Sequence, residues 1–171
     1  MVTTDSDQSF PDLLRRVERR VTGRLAALLT VEGSTLDEWR VLSFLARAGR
    51  RPMSAIAEAT MLLPPTLTKR VDHMVADGLV HRRVDPGDRR RVLVMLSPRG
   101  RAAHDRLAPL VAEEEARVAA VATVTGGLDV GRLTGMLEDL LRALERREAA
   151  RSEVPDGDAG PDAAPVGEHR S

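Results

Sequence analysis

Thr66, Lys69, Arg70 and His73 fall in one short stretch, and further along Arg89, Arg90 and Arg91 stand in a row. Each can donate a hydrogen bond to a nucleic-acid base edge or a phosphate oxygen. A Lys or Arg suits the acceptors of guanine, and a Thr brings both a hydroxyl and a methyl to a base pair. Three adjacent arginines repel one another unless an anion lies near them, and a narrow minor groove supplies one. The spacing sharpens the first group. On a helical wheel with Val71 at zero, Leu67, Met74 and Val75 fall within about 60° and form a buried stripe. Thr66, Lys69 and His73 then lie near the opposite side, flanked by Pro65 and Arg70, with Asp72 at the edge. Taken alone, such a face is more often a solvated helix surface, and an arginine run more often a solvated turn.

The elements that must position these residues are readable around them. Pro64-Pro65 opens a helix where a missing N–H costs nothing, and Gly78 sits where a C-terminal cap belongs. Leu79 to Val84 reads as a strand, Asp85-Pro86-Gly87-Asp88 as a turn, and Arg90 to Leu96 as a second strand. Upstream, Phe10, Leu13, Leu14, Val17, Val21, Leu25, Leu28 and Leu29 recur at helical spacing, with Arg24 on the same stripe. Leu36 to Ala48 is a second helix closed by Gly49. Arg50-Arg51-Pro52 is a connection, and Ser54 is an expected N-cap for a short helix over Ala55 to Ala59. Ser97-Pro98 starts a long fifth helix, and Leu128 to Arg147 reads as a sixth. The expected fold is mainly α with a small β-hairpin: three helices and a hairpin form a winged helix-turn-helix lobe, accompanied by the first, fifth and sixth helices.

Composition removes several classes of function. With 42% hydrophobic but only 2% aromatic residues, the core must be aliphatic, which favours packed helices over a β-sandwich. The absence of Cys excludes disulfides and thiolate metal sites. No leader-like or membrane-spanning run is present, which points to the cytoplasm and no membrane partner. The net charge is zero, yet Pro64 to Arg101 holds nine basic and four acidic residues, whereas Glu148 to Ser171 holds two and six. A neutral total thus hides a polarised chain. No His stands in a zinc-binding H-E-x-x-H arrangement; His104 with Glu113 or Glu114 is a conceivable pair, but a solvated histidine is the plainer reading. Without a phosphate loop, nucleophile motif or metal cluster, no catalytic residue, metal or cofactor is assigned, and an enzyme is not expected.

The ordered series Leu36-Asp37-Glu38-Trp39-Arg40-Val41-Leu42, Ile56-Ala57-Glu58, Thr66 to Asp72, Asp77-Gly78-Leu79-Val80, Asp85-Pro86-Gly87-Asp88-Arg89-Arg90 and Leu96-Ser97-Pro98-Arg99-Gly100 resembles the MarR family of bacterial transcription regulators. The segment D-x-x-D-R-R followed by L-[ST]-x-x-G is its most specific part, and the likeness spans residues 10–147. Ser97 departs from the Thr usual there, and Pro64-Pro65 stiffens the helix start. The resemblance implies a homodimeric DNA-binding regulator, more often a repressor, on a pseudo-palindromic operator of double-stranded DNA. The wheel, the wing and the third-helix start put DNA contact on Ser54, Pro65, Thr66, Thr68, Lys69, Arg70, His73, Arg89, Arg90 and Arg91, and the resemblance has Arg90 entering the groove or bracing the wing through Asp85 or Asp88. It further implies a small-molecule effector, for which Trp39, Arg40 and Phe10 are the candidates; Trp39 also reads as a core residue.

Under this reading residues 1–9 are a disordered N-terminus and residues 10–147 one domain. Within it, 36–97 form the DNA-binding lobe, and 10–33 with 98–147 form the dimerisation helices; 148–171 read as an acidic disordered tail. Two rivals remain: a winged helix used for protein interaction, and a small-molecule sensor module with secondary or no DNA binding.

Overall fold

Helix capping sets the frame of the molecule. In a computed structural model of the chain, residues 9–88 and 91–152 are described. They divide into two compact units, one ending at Val121 and one beginning at Ala122. In the first, Ser9 caps α1 (Phe10–Val31), its side chain accepting from the Asp12 N–H, and Pro11 occupies the first turn. The helix closes at Gly33, whose φ of 73° turns the chain left-handed. There Ser34 N–H donates to the Leu29 carbonyl at 2.8 Å and Gly33 N–H to that of Thr30 at 3.1 Å. Thr35 caps α2 (Leu36–Ala48) by accepting from the Glu38 N–H at 3.2 Å, and Gly49 ends it.

Two expectations fail between α2 and the next helix. Arg50-Arg51-Pro52 is more than a connection: Arg51–Pro52 forms a short strand, β1. And Ser54 is not a cap, because α3 (Met53–Thr60) begins earlier, with Pro52 at the N-cap position and no side-chain cap bond. The cause is the strand, which carries extended backbone through Pro52 (ψ 158°) up to the first helical residue. α4 (Pro64–Ala76), β2 (Val80–Val84) and β3 (Val92–Leu96) follow. The antiparallel sheet has the order β1-β3-β2, with Arg51 opposite Val94 and Val80 opposite Leu96. The fold is therefore mainly α, with a hairpin widened by one edge strand.

The core of this unit is aliphatic. Leu29 of α1, Val41, Leu42 and Leu45 of α2, Ile56 of α3, Leu67, Val71 and Met74 of α4 and Val94 of β3 are at most 1% exposed. Leu107 and Val111 close it from α5 (Pro98–Gly126), which runs through the boundary between the units. Arg24, the charge on the apolar stripe of α1, has its explanation in Glu114 of α5. That carboxylate is only 7% exposed and is bonded by Arg24 at 2.5 Å and Arg117 at 2.8 Å. The hydrogen bond from Arg24, followed by that from Arg117, outweighs desolvation and holds the carboxyl below the usual range.

α6 (Val130–Ser152) is the main element of the second unit and continues past residue 147, into the start of the expected tail. Its Met136, Leu137, Leu140, Leu141 and Leu144 are all exposed. The expected N-terminal segment before Ser9, and the tail beyond Ser152, lie outside the described residues. No described helix is long and apolar enough to cross a membrane.

Candidate DNA-binding surface

α4 follows α3 through a tight turn. Thr60, the last residue of α3, is buried and its hydroxyl donates to the Ile56 carbonyl at 2.6 Å. Met61 then takes a left-handed φ of 56°, a conformation a β-carbon disfavours, and reverses the chain. Leu67, Val71 and Met74 face the core, as the wheel predicts, but Val75 does not: it is 38% exposed. It sits at the end of the helix, where the next stabilising contact is the glycine cap rather than a core partner. That cap is Gly78, φ 69°, with Leu79 N–H donating to the Met74 carbonyl at 2.8 Å and Gly78 N–H to Val75 at 3.0 Å.

Pro65, Thr66, Thr68, Lys69 and His73 are all exposed, so the polar face of α4 is open to a ligand. Thr68 is partly committed, since its hydroxyl donates to the Pro64 carbonyl at 2.9 Å. Arg70 departs from the expected outward placement. It is half-buried, and its Nε is out of solvent without a hydrogen-bond partner. Its charge acts on Glu38 of α2: burial pushes the Glu38 carboxyl above the usual carboxylate range, Arg70 draws it back, and Asp77 raises it further. Arg70 thus belongs to the packing of α4 on α2 as much as to the exposed face.

The wing is tied to α4 by a pair the sequence reading missed. Arg82 of β2 donates to Asp72 of α4 at 2.5 Å. Its signal in the sequence is only a charge on each of two elements, ten positions apart. At the wing tip Gly87 N–H donates to Asp85 Oδ1 at 2.9 Å, and Arg91 N–H to the Asp88 carbonyl at 2.9 Å, which closes the turn. Arg91 is exposed. Arg89 and Arg90, and with them the expected groove-entering or bracing role of Arg90, lie outside the described residues. Ser54, no longer a cap, is exposed near the start of α3.

The L-S-x-x-G segment acquires a physical reason. Ser97 is buried; its hydroxyl donates to the Gly78 carbonyl at 2.6 Å and accepts from the Gly100 N–H at 2.9 Å. One hydroxyl therefore joins the cap of α4 to the start of α5, and Ser supplies it as well as Thr would. A β-carbon on Gly100 would lie 1.9 Å from the Leu79 carbonyl oxygen. Only glycine lets α5 approach the start of β2 so closely.

The proposed effector residues do not come together. Trp39 is half-buried and stacks on His104 of α5, with ring centroids 5.3 Å apart and planes within 6°. His104 is therefore no solvated histidine; its Nδ1 also lies 2.9 Å from Asp105. Arg40 is paired with Asp37 at 3.7 Å. Phe10 is 61% exposed at the far end of α1 from the turn into α2. A cavity of about 490 Å³ lies instead beside Glu38 of α2, lined by Ser34, Glu38, Asp77, Leu79, Arg99 and Arg106, among others.

A helix with an open polar face, preceded by a helical turn and followed by a braced basic hairpin, defines a winged helix-turn-helix DNA-binding protein. Known proteins agree. The MarR family model matches residues 32–91. A probable transcriptional regulator from Pseudomonas aeruginosa is 30% identical, with a TM-score of 0.64 over 78% of this chain and 98% of its own. The transcriptional repressor CouR, bound to a 23-mer DNA duplex, is 25% identical with a TM-score of 0.70, covering 82% and 98%. BpsR of Bordetella bronchiseptica, whose DNA binding is regulated by 6-hydroxynicotinic acid, is 26% identical with a TM-score of 0.67, covering 85% and 98%. No curated protein sequence matches significantly. The chain belongs to the MarR family of DNA-binding transcription regulators.

Proposed function

We propose that the chain is a homodimeric repressor that binds a pseudo-palindromic operator and is released by a small molecule. The observation that carries the DNA contact is the open face of α4, where Thr66, Lys69 and His73 stand exposed. These residues, with Pro65 and the methyl of Thr68, are assigned to the major groove; Arg89 and Arg90 are assigned to the minor groove, and Ser54 and Arg91 to phosphates. Arg70 is given a mixed role, packing against α2 and lending charge to the groove.

Dimerisation is assigned to α1, α5 and α6. Support comes from apolar side chains left uncovered in the single chain: Phe10, Leu13, Leu14 and Val17 on α1, and Met136, Leu140, Leu141 and Leu144 on α6. A two-fold dimer would offer two recognition helices to half-sites about one DNA turn, ~34 Å, apart. An operator on the chromosome implies work in the cytoplasm.

For the effector, the cavity lined by Ser34, Glu38, Asp77 and Arg99 has the size of a small-molecule site and touches the carboxylate that Arg70 acts on. A ligand there would alter the charge facing α4, and by linkage DNA would alter its affinity for the ligand. We assign the effector to this cavity; Trp39, Arg40 and Phe10, the candidates read from the sequence, are not among the residues that line it. The test is equilibrium DNA binding over a salt series. The reading expects steep loss of affinity with salt, with Lys69→Ala relaxing base preference and Arg90→Ala weakening all sequences alike. Salt-independent partner binding would favour a protein-interaction module.

A further inference from the structure

The geometry points to a second DNA contact: a phosphate-binding cleft beside the wing, formed by Arg50, Arg51 and Arg91 next to the uncapped start of α3. The inference rests on the DNA-binding reading above and adds a site to it. β1 creates the cleft. Pairing of Arg51 with Val94 and of Pro52 with Leu93 lays the chain after α2 along the outer edge of β3. Arg50 and Arg51 thereby meet Arg91, from the far side of the wing turn, around a concavity of about 440 Å³ also lined by Pro52, Asp85 and Pro86.

Several features of the cleft call for an anion. All three arginines are exposed. Among the described residues none of them forms an ion pair. The single acid in the lining, Asp85, uses one carboxylate oxygen to accept from the Gly87 N–H at 2.9 Å. Arg51 is partly ordered already, its Nη1 donating to the Arg50 carbonyl at 3.0 Å. Immediately after Pro52, α3 begins without a side-chain cap, so its first N–H groups keep their capacity to bind an oxyanion. Guanidinium forks and free helix-start N–H groups are the two protein devices best matched to a phosphodiester oxygen.

Topology says which phosphate. α4 packs on β2, while β1 pairs with the opposite edge of β3. The cleft therefore lies on the side of the wing away from the recognition helix. The phosphate it takes belongs to the flank of the operator, beyond the groove that the wing enters. Contact there lengthens the footprint and adds affinity without reading sequence.

The experiment compares the full-length protein with the Arg50→Ala/Arg51→Ala variant on the selected operator over a range of salt. The expected result is a salt slope shallower by about 0.9 for each phosphate released, with base preference unchanged and a footprint shortened at its outer ends. Arg50→Lys/Arg51→Lys should recover most of the slope. Arg47→Ala on α2 removes an exposed charge outside the cleft and should leave the slope alone. An unchanged slope in the first variant overturns the cleft, as does an equal change per arginine in Arg47→Ala. Failure of the unaltered protein to bind any duplex would instead overturn the DNA-binding reading itself.

Discussion

Gly100→Ala should be among the most damaging single-methyl changes in the protein. The added Cβ would stand 1.9 Å from the Leu79 carbonyl oxygen and 2.9 Å from its carbon, both backbone atoms that no rotamer change can move. Relief would require α5 to retreat from β2. That movement would stretch the Ser97 N–H bond to the same carbonyl, now 3.0 Å, and the 2.6 Å bond from the Ser97 hydroxyl to Gly78. Overpacking a tight core site costs ~1–3 kcal/mol and sometimes more, and this site belongs at the upper end. For a chain of this size about 3 kcal/mol corresponds to a fall in Tm of roughly 6–12 °C. Gly23→Ala is the matched control: it lies inside α1 with nothing within 4 Å of the added carbon. Its helix-propensity gain of up to ~1 kcal/mol should raise Tm slightly. Calorimetric unfolding of the two variants beside the parent decides the matter, and a Gly100→Ala protein as stable as the parent would refute the packing argument.

Other expectations follow from the same contacts. Ser97→Ala removes the hydroxyl that serves both Gly78 and Gly100 and should cost ~1–2 kcal/mol in denaturant unfolding, while Ser97→Thr should unfold like the parent. Breaking the exposed Arg82–Asp72 pair by Arg82→Ala should cost at most ~1 kcal/mol of stability, yet weaken operator binding measured by anisotropy, because the wing loses its tie to α4. Met61→Gly relieves the left-handed φ of 56° and should stabilise the protein by roughly 1 kcal/mol. The two shifted carboxylates act in opposite directions. Glu114, its pKa lowered by Arg24 and Arg117, contributes stability above its unfolded value that is lost as pH falls through its folded one. Glu114→Gln should accordingly flatten the acid limb of a stability–pH curve. Glu38, its pKa raised chiefly by burial, disfavours the folded state once pH passes the unfolded value, so Glu38→Gln should stabilise at pH 7 and lose that gain at acid pH.

Much of the fold was legible because its signals are local. The stripe of Leu67, Val71 and Met74, the proline start of α4 and the Gly78 cap need only a few neighbours to be read, and all stand as expected. The features that escaped depend on partners distant in the chain. β1 is two residues long and exists because β3, some forty positions later, offers an edge; that pairing in turn displaced the expected cap at Ser54. Arg70 lies at the flank of the helical wheel, where a turn toward α2 or toward solvent is equally open. The carboxylate that its charge acts on, Glu38, sits on another helix and gives no local signal. Trp39 and His104 stack although they sit on different helices, and neither has a local signature of doing so. Arg24 on an apolar stripe was the one visible hint of the buried Glu114.

The central claim, that α4 and the wing of two copies read one operator, is tested most directly by selecting from a random pool of DNA duplexes with the purified protein and sequencing what is bound. The account predicts enrichment of a pseudo-palindrome whose half-sites lie about one helical turn apart, with Lys69→Ala broadening the base preference inside each half-site. Recovery of no enriched sequence, or of single unpaired half-sites at the parent's full affinity, would contradict it.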